Sequence, residues 1–126
     1  MTKRSTIWKP SPAPEDFAAA EAYLTLLCSS RRAKSFVRQL RRGSTREYEA
    51  KDLLRASGLP LLPREESHVE SDLKRVHKGK LLTPVLIIQG DLAQGRLLVI
   101  ADGYHRVCAV YYYDEDAPIA CRIAGI

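Results

Sequence analysis

A chain of 126 residues has room for one globular domain with its own core. Its composition, 45% hydrophobic and 28% charged, is that of a globular protein and excludes a wholly disordered one. No apolar run approaches the roughly 18 residues of a membrane span, and no apolar segment of a signal peptide follows the charged N-terminus. The three cysteines have neither metal-ligand spacing nor a disulfide pattern, which favours a reducing compartment. We therefore predict a cytoplasmic protein without a membrane partner.

The net charge of +5 is concentrated in residues 1–46, which hold ten Lys and Arg against three Asp and Glu. A run of arginines without an intervening acid attracts nucleic-acid phosphates or an acidic partner. The alternative is a solvated helix face, because no aromatic residue is interleaved at a spacing suited to base stacking. The residues predicted to bind nucleic acid are Arg31, Arg32, Arg38, Arg41 and Arg42.

Residues 1–46 are predicted to be an N-terminal arm followed by a basic helical extension. Residues 1–13 contain prolines and little periodicity, which indicates an extended or disordered arm. Pro14 and the acids after it are typical of a first helical turn. A second helical stretch begins after Ser29 and Ser30 and ends near Gly43, so we predict two helices or one bent helix.

Residues 47–126 are predicted to form an α+β domain, with a mixed sheet and flanking helices. The best-defined helix follows Ser67, which forms a capping box with Glu70, and this helix closes at Gly79. β-Branched runs and turn residues predict the remaining elements: strands within 48–57, 83–89, 96–101 and 119–124, and a helix after Asp102.

The clearest functional signal is a predicted strand that runs into a helix at Asp102-Gly103-Tyr104-His105-Arg106. The first N–H groups of a helix lack intrahelical acceptors and glycine allows close approach, so this start predicts a phosphate site. Arg106 offers a bidentate fork, His105 a hydrogen bond or acid/base group, and Asp102 a ligand for a metal ion or hydroxyl. In the alternative interpretation Asp102 is an ordinary N-cap, His105 lies at the surface and Arg106 pairs with a local carboxylate.

Lys80 follows the basic last turn of the helix that begins at Ser67, where its charge either stabilises the helix end or faces a phosphate. If Arg106 binds phosphate, Arg106→Ala is expected to weaken binding while the fold survives. Gly103→Val is expected to crowd the anion while the helix start remains.

From about Tyr48 to Ile126 the sequence resembles the ParB/sulfiredoxin superfamily in the order and spacing of several segments. These are an early strand over Ala50–Ala56, the helix Ser67–Gly79, the strand start Leu81–Ile87, the segment Asp102–Arg106 with Ala109, and the closing segment Pro118–Ile123. The family is a small α+β fold in which a Gly-x-His-Arg or Gly-x-Arg-Arg helix start binds nucleotide phosphates. The resemblance implies that role for Gly103, His105 and Arg106, with ADP, ATP or CTP as nucleotide and Mg²⁺ as metal.

Departures from the family pattern narrow the expected activity. Sulfiredoxins have a reactive cysteine where this chain has Tyr104, so a sulfiredoxin is not expected. Partition-type ParB proteins have two arginines at the positions of His105 and Arg106 and continue into a helix-turn-helix domain, so centromere clamping is not expected. The Asp-Gly-x-His-Arg variant is similar to free serine kinases of the Asp-Gly-His-His-Arg type, which implies Glu65 or Glu66 as catalytic base.

Three functional hypotheses follow. The first is a nucleotide-dependent phosphotransferase or hydrolase with Asp102, His105 and Glu65 or Glu66 as catalytic residues. Its predicted phosphate-binding residues are Lys80, Thr83, Gly103, Tyr104, His105 and Arg106. The second is a DNA-binding or ParB-like nuclease module that uses the basic N-terminal helices. The third is an interaction module whose N-terminal helices dock on a protein partner or a second copy of the chain.

Overall fold

The computed structural model describes residues 7–125, and in this part of the chain the predicted α+β class is confirmed. The helices are α1 (Pro14–Leu24), α2 (Ser30–Arg42), α3 (Ala50–Ser57), α4 (Ser67–His77) and α5 (Tyr104–Tyr113). The strands are β1 (Arg46–Glu49), β2 (Val85–Ile88), β3 (Val99–Asp102) and β4 (Pro118–Ala124), with a turn of 3-10 helix at Leu92–Gln94. No helix within these residues is long and apolar enough to cross a membrane.

The strands form one mixed sheet in the order β1-β4-β2-β3. Strand β4 pairs antiparallel with β1 and parallel with β2, and β2 pairs antiparallel with β3. Both β2 and β3 are shorter than the predicted strands, but β3 extends to Asp102, one residue beyond the prediction. Because β3 leads directly into α5, the sheet fixes where that helix begins.

Helices cover both faces of the sheet. Val85 and Ile87 of β2 belong to a core shared with α3, α4 and α5. The alternate residues Leu86 and Ile88 belong to a second core shared with α1 and α2, because successive side chains of a strand point to opposite faces. The N-terminal helices therefore pack directly on the sheet, and the predicted domain division between residues 46 and 47 stays a prediction.

The N-terminal region forms two separate helices, α1 and α2, and Ser29 caps the second by accepting the Arg32 N–H at 3.2 Å. Residues 1–6 of the predicted arm lie outside the described residues. The rest of the arm is anchored, because Trp8 is buried and donates its indole N–H to Pro118 O at 2.9 Å. Trp8 also forms a β-bridge with Leu82, so residues 7–13 are not a free arm.

The strand predicted within residues 48–57 is wrong for most of its length, because Arg46–Glu49 is the strand and Ala50–Ser57 is a helix. The early strand of the family resemblance, Ala50–Ala56, is wrong for the same reason. The buried residues of α3 are Ala50, Leu53, Leu54 and Ser57. Their spacing is that of one helical face, which differs from the alternation of a half-buried strand.

The predicted cap of α4 is also wrong by one residue. Glu66, not Ser67, is the N-cap, and its Oε1 accepts the N–H groups of His68 and Val69 at 2.8 and 2.9 Å. A glutamate at this position satisfies two of the helix's free N–H groups at once and places negative charge at the positive end of the dipole. This contact fixes the Glu66 carboxylate beside the candidate site.

Candidate functional site

The start of α5 has the backbone geometry of an anion site. Gly103 is the N-cap, in the left-handed conformation with φ of 109°, and it has no side chain to cap the helix. Within the described residues, the first N–H to bond inside the helix is that of Val107, which donates to Gly103 O at 3.0 Å. The N–H groups of Tyr104, His105 and Arg106 therefore lack intrahelical acceptors.

The Arg106 guanidinium is held by protein groups. Its Nη1 donates to Thr83 O at 2.6 Å, to Thr83 Oγ1 at 2.5 Å and to Pro84 O at 3.2 Å. Its Nη2 donates to Asp102 Oδ2 at 2.5 Å and lies 3.6 Å from Asp16 Oδ1. Arg106 is thus paired with a local carboxylate, and both of its Nη atoms have protein acceptors.

Asp16 and Asp102 share this arginine and influence each other's ionisation. Burial raises the pKa of Asp102 to about 6, because Arg106 offsets only part of the desolvation and Asp16 adds a second negative charge. Burial also favours the neutral form of Asp16, but the Ala13 N–H, the Thr83 hydroxyl and Arg106 outweigh it and hold its pKa below the ordinary value.

We expect the free energy of unfolding of the wild-type protein to fall, relative to Asp102→Asn, as pH rises from about 4 to about 7. The folded-state pKa of Asp102, about 6, lies above its ordinary value of 3.8, so between them only the folded protein holds the proton. The difference in unfolding free energy between the two proteins should change by about 2 to 3 kcal/mol, because each pKa unit corresponds to about 1.4 kcal/mol. Urea unfolding of both proteins across this range measures it, and a constant difference would contradict the raised pKa.

A second polar cluster lies beside the start of α5. Glu66 Oε2 is 3.2 Å from His68 Nδ1 and 3.9 Å from His105 Nε2. The two imidazole rings have centroids 4.7 Å apart. The Val69 N–H, together with the donors of His68, holds the pKa of Glu66 below its ordinary value, so this side chain is a carboxylate at neutral pH.

A cleft of about 170 Å³ opens between α4 and α5 at this point. Its lining residues are His68, Ser71, Asp72, Asp102, Gly103, His105 and Arg106. Burial raises the pKa of Asp72, although Arg106, Arg75 and the two histidines act in the opposite direction. The cleft therefore combines helix N–H groups and imidazoles, which favour an anion, with carboxyls that limit how strongly it is held.

Two other predicted residues lie apart from this cleft. Glu65 is exposed and lines a different surface, together with Arg64 and Lys74, so the geometry favours Glu66 as a base. Lys80 is exposed and follows the C-terminus of α4, whereas Glu66 lies at the N-terminus of that helix. An 11-residue helix is roughly 16 Å long, which separates the two ends.

Thr83 and Tyr104 contact protein groups. Both Thr83 oxygens accept from Arg106, and Tyr104 donates its hydroxyl to Pro60 O at 2.5 Å. The second contact ties the first turn of α5 to the loop after α3. The predicted roles of these two residues in phosphate binding stay predictions.

Asp102 Oδ2 is bound by Arg106, and the predicted role of Asp102 as a ligand for Mg²⁺ stays a prediction. A separate donor set is formed by Glu66, His68 and His105, whose ligand atoms lie within 4.8 Å of one another. Two imidazoles in such a set favour a transition metal over Mg²⁺.

The five arginines predicted to bind nucleic acid are all exposed on α2. Among residues 7–125 none of the five forms an ion pair. Arg41 lies over the Phe17 ring at 4.6 Å and Arg32 over the Phe36 ring at 5.5 Å, so their stems cover apolar surface. This arrangement is compatible with a phosphate-binding surface and with a solvated helix face.

Three titratable residues of the site were not predicted from the sequence: Asp16, His68 and Asp72. The position of Asp16 in the first turn of α1 is explained locally by the helix dipole, and its contact with Arg106 arises only from packing. The Glu-x-His spacing of Glu66 and His68 is a local signal for a carboxylate–imidazole pair. Their meeting with His105 depends on how α4 packs against α5.

No family model, curated protein or solved structure matches the chain. The ParB/sulfiredoxin resemblance therefore stays a prediction. The fold defines an α+β protein with a mixed sheet covered by helices on both faces, and the geometry around the start of α5 is what bears on its function.

Proposed function

We propose that the protein binds the phosphate groups of a nucleotide in the cleft at the start of α5, as a ParB/sulfiredoxin-like phosphotransferase or nucleotide hydrolase. One observation carries the proposal: Gly103 leaves three N–H groups without helical acceptors beside the imidazoles of His68 and His105. Such a helix start favours anions because its N–H groups and its dipole both attract negative charge. ADP, ATP and CTP are the candidate ligands.

The roles proposed for individual side chains follow from their contacts. His105 is 42% exposed in the cleft and donates a hydrogen bond to the phosphate. Glu66, a carboxylate 3.9 Å from His105, acts as general base toward an acceptor hydroxyl or water. Arg106 orients the helix start through Asp102 and Thr83, and this positioning role replaces the direct phosphate contact expected from the sequence.

A second candidate function is binding of nucleic acid by α2, including the ParB-like nuclease alternative. The observation that favours it is the set of five exposed arginines without a carboxylate partner in the described part of the chain. Binding there would be sequence-tolerant and salt-sensitive, because it would use phosphate contacts alone. For either function we propose a cytoplasmic location, since the free cysteines Cys28, Cys108 and Cys121 suit a reducing compartment.

The phosphate proposal predicts that nucleoside phosphates stabilise the protein and that His105→Ala weakens this effect about tenfold. A charge-assisted hydrogen bond to phosphate contributes roughly 1.5 kcal/mol or more, which corresponds to that factor. Thermal unfolding is measured after chelator treatment, with ADP, ATP, CTP, pyrophosphate or short duplex DNA, and with or without Mg²⁺. A ligand at about 100 times its Kd should add about 2.7 kcal/mol.

His77→Ala is the matched control, because His77 lies at the far end of α4 and contacts the Tyr113 ring. This variant should bind phosphate ligands as the wild type does. Stabilisation by DNA alone would favour the α2 surface and contradict the phosphate cleft. Equal binding by wild type and His105→Ala would contradict it as well.

A further inference from the structure

We propose that Glu66, His68 and His105 form a binding site for a single Zn²⁺ ion. The three side chains converge from the N-terminal ends of α4 and α5, and their ligand atoms lie within 4.8 Å of one another. Carboxylate and imidazole groups are ordinary zinc ligands, and a set of two histidines and one glutamate leaves a fourth position for water or substrate. The cysteines, which gave no zinc signal in the sequence, take no part in this site.

Two of the three separations between ligand atoms are close to those of a tetrahedral zinc site, and the third, between the two histidine atoms, is at most 4.8 Å. With metal–ligand bonds of about 2.0 to 2.1 Å, ligand atoms around zinc lie about 3.3 Å apart. Glu66 Oε2 is 3.2 Å from His68 Nδ1 and 3.9 Å from His105 Nε2. The His68 side chain is 71% exposed and that of His105 is 42% exposed, so both imidazoles can rotate. Such rotations bring the two ring nitrogens and Glu66 Oε2 within bonding distance of one ion.

The cluster is also held in place by contacts that metal binding would not break. Glu66 Oε1 accepts the N–H groups of His68 and Val69, which orients the carboxylate and leaves Oε2 as the ligand atom. Val69 of α4 and Val107 of α5 are buried in the same core, so the two helix starts are fixed relative to each other. Ligands held by such outer contacts bind metal more tightly than free side chains do.

Glu66 supplies the anionic ligand of this cluster, and Asp72 lines the same cleft. A bound Zn²⁺ would place a positive centre beside the start of α5. The site does not depend on the phosphate proposal, because all three ligands are protein groups. In the zinc-bound protein Glu66 is a metal ligand, so its proposed role as general base belongs to the metal-free protein.

Titration of chelator-treated, dialysed protein with ZnCl₂, followed by calorimetry without any phosphate ligand, tests the proposal. We expect one Zn²⁺ per chain with micromolar or tighter affinity. His68→Ala and His105→Ala should each weaken binding at least about tenfold, since removing even an outer-shell partner costs about that much. Titration with Co²⁺ should give visible absorption bands of a four-coordinate site that are lost in the same variants.

Two further variants separate a metal site from a structural helix cap. Glu66→Gln keeps a side-chain oxygen for the cap but loses the charge, so it should weaken Zn²⁺ binding while circular dichroism stays unchanged. His77→Ala removes the remaining histidine and should leave the affinity unchanged, because His77 is outside the cluster. Absence of Zn²⁺ binding, or equal losses of Zn²⁺ affinity in His77→Ala and His68→Ala, would overturn the proposal.

The zinc titration contains no phosphate and the nucleotide assay contains no zinc. The zinc proposal and the phosphate proposal can therefore fail independently.

Discussion

Arg106→Ala is expected to lower the free energy of unfolding by about 3 to 5 kcal/mol, as is typical when one partner of a buried ion pair is removed. The Arg106 side chain is 12% exposed, and those of its partners Asp16 and Asp102 are 15% and 18% exposed. Without it, the Asp102 carboxyl and the Thr83 oxygens would lose their donor in a largely water-free setting, while Asp16 would keep the Ala13 N–H. Urea or thermal unfolding followed by circular dichroism measures the loss.

Arg55→Ala provides the matched control, since Arg55 also pairs with an aspartate on its own helix. Its Nη2 is 3.1 Å from Asp52 Oδ1, but Arg55 is 85% exposed and Asp52 is 47% exposed. An exposed pair of this kind contributes about 0 to 1 kcal/mol, so this variant should unfold nearly as the wild type does. If Arg106→Ala were no more destabilising than Arg55→Ala, the result would contradict a stabilising role for the buried contacts of Arg106.

This expectation differs from the one drawn from the sequence, in which the fold of Arg106→Ala survives, and both stay predictions. A consequence is that lost nucleotide binding in Arg106→Ala would not identify a phosphate contact. His105→Ala is the better probe, because the His105 side chain is 42% exposed and lines the cleft.

Gly103→Ala is expected to lower the free energy of unfolding by about 2 to 5 kcal/mol, from two separate causes. The left-handed backbone at φ of 109° costs an L-residue about 1 to 2 kcal/mol. A Cβ would also lie 2.9 Å from Val85 Cγ2 and 3.2 Å from Arg106 Cζ, and such overpacking costs about 1 to 3 kcal/mol more. Equilibrium unfolding in urea measures the sum.

Gly79→Ala isolates the backbone part of this effect. Gly79 has φ of 75°, and a Cβ there would meet nothing within 4 Å. It should therefore lose only about 1 to 2 kcal/mol, and the difference between the two variants reports the crowding against Val85. Equal losses would mean that the space around Gly103 is less constrained than its contacts indicate. The bulkier Gly103→Val disturbs the helix start itself, contrary to the expectation from the sequence.

Local patterns accounted for most elements of the fold. The prolines, the Ser29-Ser30 break and the apolar spacing located α1 and α2, and the strand-to-helix change at Gly103 located α5. The helix α3 could have been predicted locally, because Ala50, Leu53, Leu54 and Ser57 already follow helical spacing. The cap of α4 could not, since residue type favours Ser67 over Glu66 as an N-cap.

The sequence by itself determined the α+β class and the position of the strand-to-helix change at Gly103, because helix period, strand period and the conformational freedom of glycine depend on neighbouring residues. Only the tertiary structure decided what surrounds the start of α5. Asp16 reaches Arg106 because α1 packs on β3, and His68 meets His105 because α4 packs on α5. These contacts join residues far apart in the chain, and they depend on the packing of whole helices, which no local pattern encodes.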